Sequence, residues 1–420
     1  MFSHNLRIKA KIIKIIIIIF LMIQLFCLMV FKIFLVIALM LFNLFDSISQ
    51  DNNSILTNVD IQIEATAAIN KMYNFEFEDA EKEFNWLVQE YSNHPLPVFL
   101  KGLSLWWRID SYSGISNISK IDSLERLDSK FIDLMDKTIS LSKSIYDKGN
   151  KIDGAFFLAA SYGFKGRLLS ERRKWRASAF AGMNALKYLK EIRKDDLMIP
   201  EISFGNGLFN YYSIWISERY PLLKPLIKLF PDGDKKKGIS QLNTAANNSF
   251  YTRTEAQYFL MRIYSGENDL SKALYLSKYL FETFPNNSVF HKFYTQLLYR
   301  TSSFNLCEKE AIKIIKYFTD KKKGYYDNDV RLAHFFLGEI YLSKRKIDLA
   351  TYHLERSLYY SDKFKNQKLG YTIYSNFLLG KIFFDMGQSK KSKFYFKRVI
   401  KLTNRKEDLN QKSKGYIKKI

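Results

Sequence analysis

The chain has 420 residues, with 65 Lys and Arg against 42 Asp and Glu for a net charge of +23, and is 47% hydrophobic with only 18 Gly and 7 Pro. So little Gly and Pro argues against turn-dense β-sandwiches, collagen and disordered linkers, and leaves helices as the default. Two cysteines exclude a disulfide framework or a Cys-rich zinc site, and the length allows two or three domains or one elongated array.

From Ile12 to Phe45 the chain is almost wholly apolar, broken only by Lys14, Gln24, Lys32 and Asn43. A spanning helix needs roughly 20 apolar residues, so this run is too long for one simple span and too short for two. Its second half carries the parts of a secretory signal: a basic start from Met29 to Lys32, an apolar core from Ile33 to Phe45, and the small-x-small site Ser47-Ile48-Ser49. We expect a true start at Met29 and cleavage after Ser49, which would export a chain beginning at Gln50 to the periplasm or outer membrane. The competing reading keeps Arg7, Lys9, Lys11 and Lys14 as a cytoplasmic flank and residues 15–45 as an uncleaved inner-membrane anchor. Both place residues 50–420 outside the cytoplasm. Cys27 has no lipobox before it, and Cys307 reads as a buried small hydrophobe.

Just after this segment, Ala68 is followed twelve residues later by Ala80, then Phe84 and Leu87, which predicts a helical hairpin whose second helix covers Phe77 to Phe84. Further on, Ala155 to Gly166 is rich in small residues and is expected to pack tightly on Trp175 to Leu189, where Ala177, Ala181 and Ala185 recur every four residues. Phe204 to Tyr212 follows, then a Pro-marked stretch from Tyr220 to Pro231 and the acidic turn Asp232-Gly233-Asp234. That turn lacks the acidic positions of a calcium loop and reads as a helix start capped by Asp234.

The last third repeats. Leu260 to Tyr264 leads to Ala273, Leu280 and Pro285; Leu337 to Tyr341 leads to Ala350 and Leu354; Leu379 to Phe383 leads to Ser392, Phe396 and Val399. A degraded copy lies in 290–319 around Leu297, Leu298, Ala311 and Ile315. Antiparallel helices that cross closely need a small side chain at the crossing, so Gly338 is expected to face Ala350 and Gly380 to face Ser392. Pro285 ends its hairpin because it cannot continue a helix. The aromatic residues, including Trp86, Trp106, Trp107, Trp175 and Trp215, are expected mostly to fill space between hairpins.

This pattern resembles the tetratricopeptide repeat, with its Leu-Gly-x-x-Tyr helix, Ala-x-x-x-Phe helix and closing Pro. From about 150 to 290, the run Gly207 to Tyr212, Pro231 to Asp234, Gly238, Leu242, Ala245-Ala246 and Glu255-Ala256 is similar to a group of exported bacterial tetratricopeptide-repeat proteins to which no activity is attached. The resemblance implies an all-α, right-handed α-solenoid of antiparallel helix hairpins, preceded by the hydrophobic signal or anchor at 1–49. Its expected divisions are a helical region at 50–250 with an atypical middle and C-terminal repeats at 251–420. It also implies a concave groove for a protein or peptide, lined by Tyr258 and Arg262, Phe335 and Glu339, and Phe377 and Lys381.

No Walker loop, dinucleotide fingerprint, HExxH, CxxC or GxSxG occurs, so the expectation is a protein that is not an enzyme, with no catalytic, cofactor-binding or metal-ligating residues. His334 and His353 fall on the two helices of one hairpin as half a metal site and read as packing. Lys235 to Lys237, Lys321 to Lys323 and the Lys412 to Lys419 tail read as solvated faces. Export separates them from nucleic acid, and an anionic membrane surface is the contact they could still make. Two functional readings stand side by side. One is a non-enzymatic envelope scaffold. The other is an enzyme or enzyme accessory with a pocket near Asn206, Tyr211, Tyr212, Asp232 and Asp234, or a component of outer-membrane assembly or secretion machinery.

Overall fold

A computed structural model describes residues 54–112, 121–192, 198–363 and 370–420. The predicted signal or anchor, residues 1–49, lies outside them. Every regular element among the described residues is helical, and no helix among them is long and apolar enough to cross a membrane. Residues Val59–Ile420 form one unit; in the other, Met1–Asn58, the described part is a single helical turn at Ile55–Thr57.

The chain runs through α1 (Val59–Tyr73), α2 (Phe77–Glu90), α3 (Pro95–Ser111), α4 (Ile121–Asp147), α5 (Lys151–Glu171), α6 (Trp175–Glu191) and α7 (Ile199–Arg219). A short α8 (Lys224–Ile227) precedes α9 (Lys235–Asn248), α10 (Arg253–Gly266), α11 (Leu270–Thr283), α12 (Ser288–Arg300) and α13 (Phe304–Thr319). The last are α14 (Asp327–Ser343), α15 (Ile347–Ser361), α16 (Gly370–Asp385), α17 (Ser389–Leu402) and α18 (Asp408–Lys419). Helices pack chiefly on their sequence neighbours, as in a tetratricopeptide-like stack of hairpins.

Six hairpins are built on one frame, wider than the repeats legible in the sequence. In α1/α2, α5/α6, α10/α11, α12/α13, α14/α15 and α16/α17 the turn contains one residue at positive φ: Phe75, Arg173, Asn268, Ser302, Arg345 and Gly387. The next residue's N–H then closes back on the carbonyl five before it, as Lys346 does on Tyr341 and Gln388 on Phe383 at 2.9 and 2.8 Å. This left-handed turn satisfies carbonyls that the ending helix leaves orphaned. Seven residues before each such residue and five after it sit the side chains at the crossing.

The second of those side chains can also donate to the first helix's backbone. Ser392 Oγ donates to the Gly380 carbonyl at 2.8 Å, Ser178 Oγ to Gly166 at 2.9 Å, and the buried Cys307 Sγ to Thr295 at 3.7 Å. Gly380 and Ser392 therefore meet as expected. A Cβ on Gly338 would lie 2.7 Å from Leu354, one turn beyond Ala350, and Ala350 packs with Leu337 and Tyr341 of the same helix as Gly338. Likewise a Cβ on Gly380 would meet the Phe396 ring at 2.8 Å. In both hairpins the glycine makes room for the large residue that lies one turn beyond the small one on the facing helix. Ala177 is exposed and Ser178 takes its place against Gly166, with Ala181 and Ala185 buried. Trp86 and Trp175 are also exposed, whereas Trp106 and Trp107 are fully buried.

The hairpin α7/α9 keeps the close crossing and lengthens the turn. A Cβ on Gly207 would lie 2.9 Å from the Gly238 carbonyl, and one on Gly238 would lie 2.8 Å from the Gly207 carbonyl. Between the helices runs the Pro-marked stretch containing α8. Asp234 caps α9 as expected, accepting the Lys237 N–H at 3.0 Å.

The N-terminal helices do not simply begin the stack. Asn287, the cap of α12, donates to the Tyr73 carbonyl at 2.8 Å, and Asn286 N–H donates to Asn74 at 3.0 Å. Trp107 packs edge-on against Phe290 with centroids 5.3 Å apart, and Tyr112 stacks on Tyr326 at 5.6 Å. Helices α1 and α3 are thereby packed against α10, α12 and the start of α14, far along the chain.

Candidate functional site

The six predicted groove residues form three pairs spaced i,i+4, each on the first helix of a hairpin: α10, α14 and α16. Within each pair the ring packs among the protein's own side chains. Tyr258 is 2% exposed, edge-on to Trp107 at 5.2 Å, and its hydroxyl donates to Asp110 at 3.3 Å. Phe335, 1% exposed, lies between Tyr299 and Tyr371. Phe377 is half-buried beside Phe396 and Tyr416, the latter from α18.

The charged partners stay nearer to water. Arg262 is exposed and donates to the Tyr258 hydroxyl at 3.5 Å; Glu339 is half-buried and accepts from the Tyr299 hydroxyl; Lys381 is half-buried. Burial pushes the Glu339 carboxyl above its ordinary range. Where the sequence suggested a groove of mixed charge and aromatic rings, the accessible parts of these six are mainly charged. The rings are taken up in filling the space between adjacent hairpins, which single-turn spacing alone does not distinguish from a groove.

Sequence reasoning missed the polar constellation beneath Arg262. Glu255, one turn before Tyr258 on α10, is 2% exposed and accepts from Trp107 Nε1 at 2.8 Å and the Tyr73 hydroxyl at 3.5 Å. Arg167 of α5 stands 3.6 Å from Glu255 and 3.8 Å from Glu171, with its guanidinium over the rings of Trp106 and Phe259. Burial raises the pKa of Glu255 and the Arg167 charge opposes that rise. Four segments of chain thus meet on one carboxylate, and a charge so placed is tolerable only while its partners hold. One signal was in the sequence, the Trp106-Trp107 pair.

A second buried carboxylate ties α7 to α10. Glu201 accepts the N–H groups of Phe250, Tyr251 and Thr252 and the Thr252 hydroxyl, the last at 2.8 Å. It supplies the entry to α10 with the acceptors a helix N-terminus needs.

His334 and His353 do meet, with their Nδ1 atoms 2.8 Å apart. Burial lowers both, His334 to about 3 and His353 to about 4; neutral rings allow one to donate and the other to accept. No group of three His, Cys, Asp or Glu among the described residues could hold a metal ion. The residues named for a pocket in the atypical middle serve separate contacts: Tyr211 donates to Glu267 at 2.6 Å, Tyr212 packs edge-on to Phe259, Asp232 is exposed, and Asp234 is the cap of α9. A cleft of about 390 Å³ at α17 and α18 and one of about 240 Å³ beside Asn70, Phe250 and Arg253 include none of them.

No family model and no curated protein matches the sequence. Among solved structures, the apo form of RapI is 14% identical with a TM-score of 0.35, covering 85% of this chain and 98% of that one. Yeast Tom70 is 10% identical with a TM-score of 0.26 over 85% and 95%. The P58(IPK) TPR domain is 10% identical with a TM-score of 0.22 over 86% and 99%. The fold assignment rests on the hairpin frame of this chain itself.

Proposed function

We propose that this protein is a non-catalytic scaffold of the cell envelope, exported by the signal at 29–49, that holds a protein or peptide along the face bearing Arg262, Glu339 and Lys381. The observation that carries the reading is the recurrence of an accessible charge one turn after an inward ring on three first helices. Repeated hairpins extend such a row without needing a new core, and spaced charges of both signs suit an extended polar segment. The scattered contacts of Tyr211, Tyr212 and Asp234 give the enzyme alternative no convergent set of groups.

Photo-crosslinking in the native cell tests this. A crosslinker at Arg262, Glu339 or Lys381 should give one shared adduct that is absent when the group is placed at the exposed Tyr352 or Lys393. Adducts indifferent to position would overturn the groove. Amino-terminal sequencing of the expressed protein tests export separately, with Gln50 as the expected first residue and an intact 15–45 segment in membranes as the contrary result.

A further inference from the structure

The lengthened turn between α7 and α9 exposes apolar side chains that nothing in the hairpin stack needs. Leu222 is 94% exposed and Leu229 60%, with Tyr220 at 46%. A loop that merely joined two helices would put polar residues there. The turn is also stiff and well attached. Pro221, Pro225 and Pro231 fix φ at three points, a short helical turn at Pro221–Leu223 leads into α8, and the Phe230 ring lies against Gly182 and Phe209. Phe180, 64% exposed, adds a further ring on the helix that receives Phe230.

The charge around these leucines is predominantly basic. From Arg219 to Lys237 the basic side chains are Arg219, Lys224, Lys228, Lys235, Lys236 and Lys237, and the acidic ones are Asp232 and Asp234. Lys235 is held by Glu218 and Glu267. Lys224 and Lys228 are exposed and alternate with the leucines. Exposed leucines flanked by lysines on a rigid projection match the requirements of an interfacial segment, whose apolar side enters a bilayer by about 5–10 Å while basic groups meet anionic headgroups. A protein partner would more naturally be offered a groove. The two cavities described above do not reach this turn.

We propose that residues 219–230 form a membrane-contact segment that sets Leu222 and Leu229 into the surface of an anionic bilayer. This inference does not depend on the groove.

The full chain serves as the test protein, with an environment-sensitive fluorophore on Leu222→Cys in a Cys27→Ser background and a matched label at Tyr275→Cys as the control. In vesicles of mixed phosphatidylcholine and phosphatidylglycerol, the label at 222 should shift to the blue and be quenched by brominated lipid, while the label at 275 stays in water. The 222 signal should be lost in phosphatidylcholine alone and in about 1 M salt, where the screening length falls to about 3 Å. Lys224→Glu with Lys228→Glu should abolish it, each lysine being worth roughly fivefold in surface affinity, with helical content and melting temperature unchanged. Because the signal is read at residue 222, membrane attachment through residues 12–45 cannot mimic it. A label at 222 that stays in water in anionic vesicles, or inserts equally into neutral ones, overturns the proposal. So does a label shielded before vesicles are added: loss of shielding on dilution would mean a second copy covers the turn, and shielding independent of concentration would mean the chain's own apolar segment does.

Discussion

The hairpins from α12 to α17 and the helices α1 and α3 are made of similar residues but hold their places differently. In the C-terminal stretch each helix pair rests on the next, and a fault should be felt mainly by its neighbours, as in any near-linear array. The N-terminal helices instead join residues 148 to 214 positions apart, through Trp107, Tyr73, Glu255 and Asn287. Local repetition can build a stack of any length, whereas a long-range closure makes distant segments depend on one another.

The largest effect should come from cutting the closure. Trp107→Ala removes a fully buried ring that touches Tyr73, Tyr258 and Phe290 and leaves Glu255 without its best donor. Urea unfolding should show a loss of about 3–5 kcal/mol, and hydrogen exchange should quicken in α1, α10 and α12 together. Protection lost in α3 alone would mean the distant contacts are incidental.

Gly338→Leu and Gly380→Leu probe the other region. Each new side chain collides with Leu354 or Phe396, so each should cost about 1–3 kcal/mol by overpacking. Exchange in α4 to α7 should stay as it was. A loss of protection there would erase the contrast between the two regions.

The histidine pair gives the C-terminal stretch a pH dependence of known sign. Both rings stay neutral in the fold, near 3 and 4, against an ordinary value of 6.5. The unfolded chain therefore binds more protons below 6.5, so the pair's contribution is complete above that pH and is lost as pH falls toward 3 to 4. His353→Gln keeps a hydrogen-bond partner for His334 and removes one titrating ring. Its stability should fall less steeply on acidification, by up to about 1.4 kcal/mol per pH unit for the proton removed. Parallel curves for the two proteins would show that the pair does not titrate with unfolding.

The smallest effect is a gain. Arg345 holds positive φ in the α14/α15 turn where the α16/α17 turn has Gly387. Left-handed backbone costs most residues about 1–2 kcal/mol, partly offset by the freedom glycine gains when unfolded, so Arg345→Gly should raise the melting temperature slightly. A fall would show that the arginine side chain contributes contacts that outweigh the strain.

The helices and hairpins of the C-terminal third could be read from the sequence, because a small residue twelve positions from another is a local signal. The same spacing marks α1/α2. It was harder to see in α5/α6 and α12/α13, where Ser178 and Cys307 occupy the position usually held by alanine and bond to the facing backbone. The closure left no periodic trace, since Trp107 and Glu255 meet only in three dimensions. Tyr258, Phe335 and Phe377 were placed on the correct helices, but their depth depends on how closely the next hairpin approaches, which no single helix encodes.

The left-handed residue in the turns of the six hairpins also makes the chain modular. Ser302 and Arg345 occupy equivalent joints, so the stretch between them is a cassette. Copying or deleting it whole would leave the remaining joints in phase. Adding one residue within a helix would swing everything downstream by about 100° around that helix's axis, and the α7/α9 turn shows where extra length is accommodated instead.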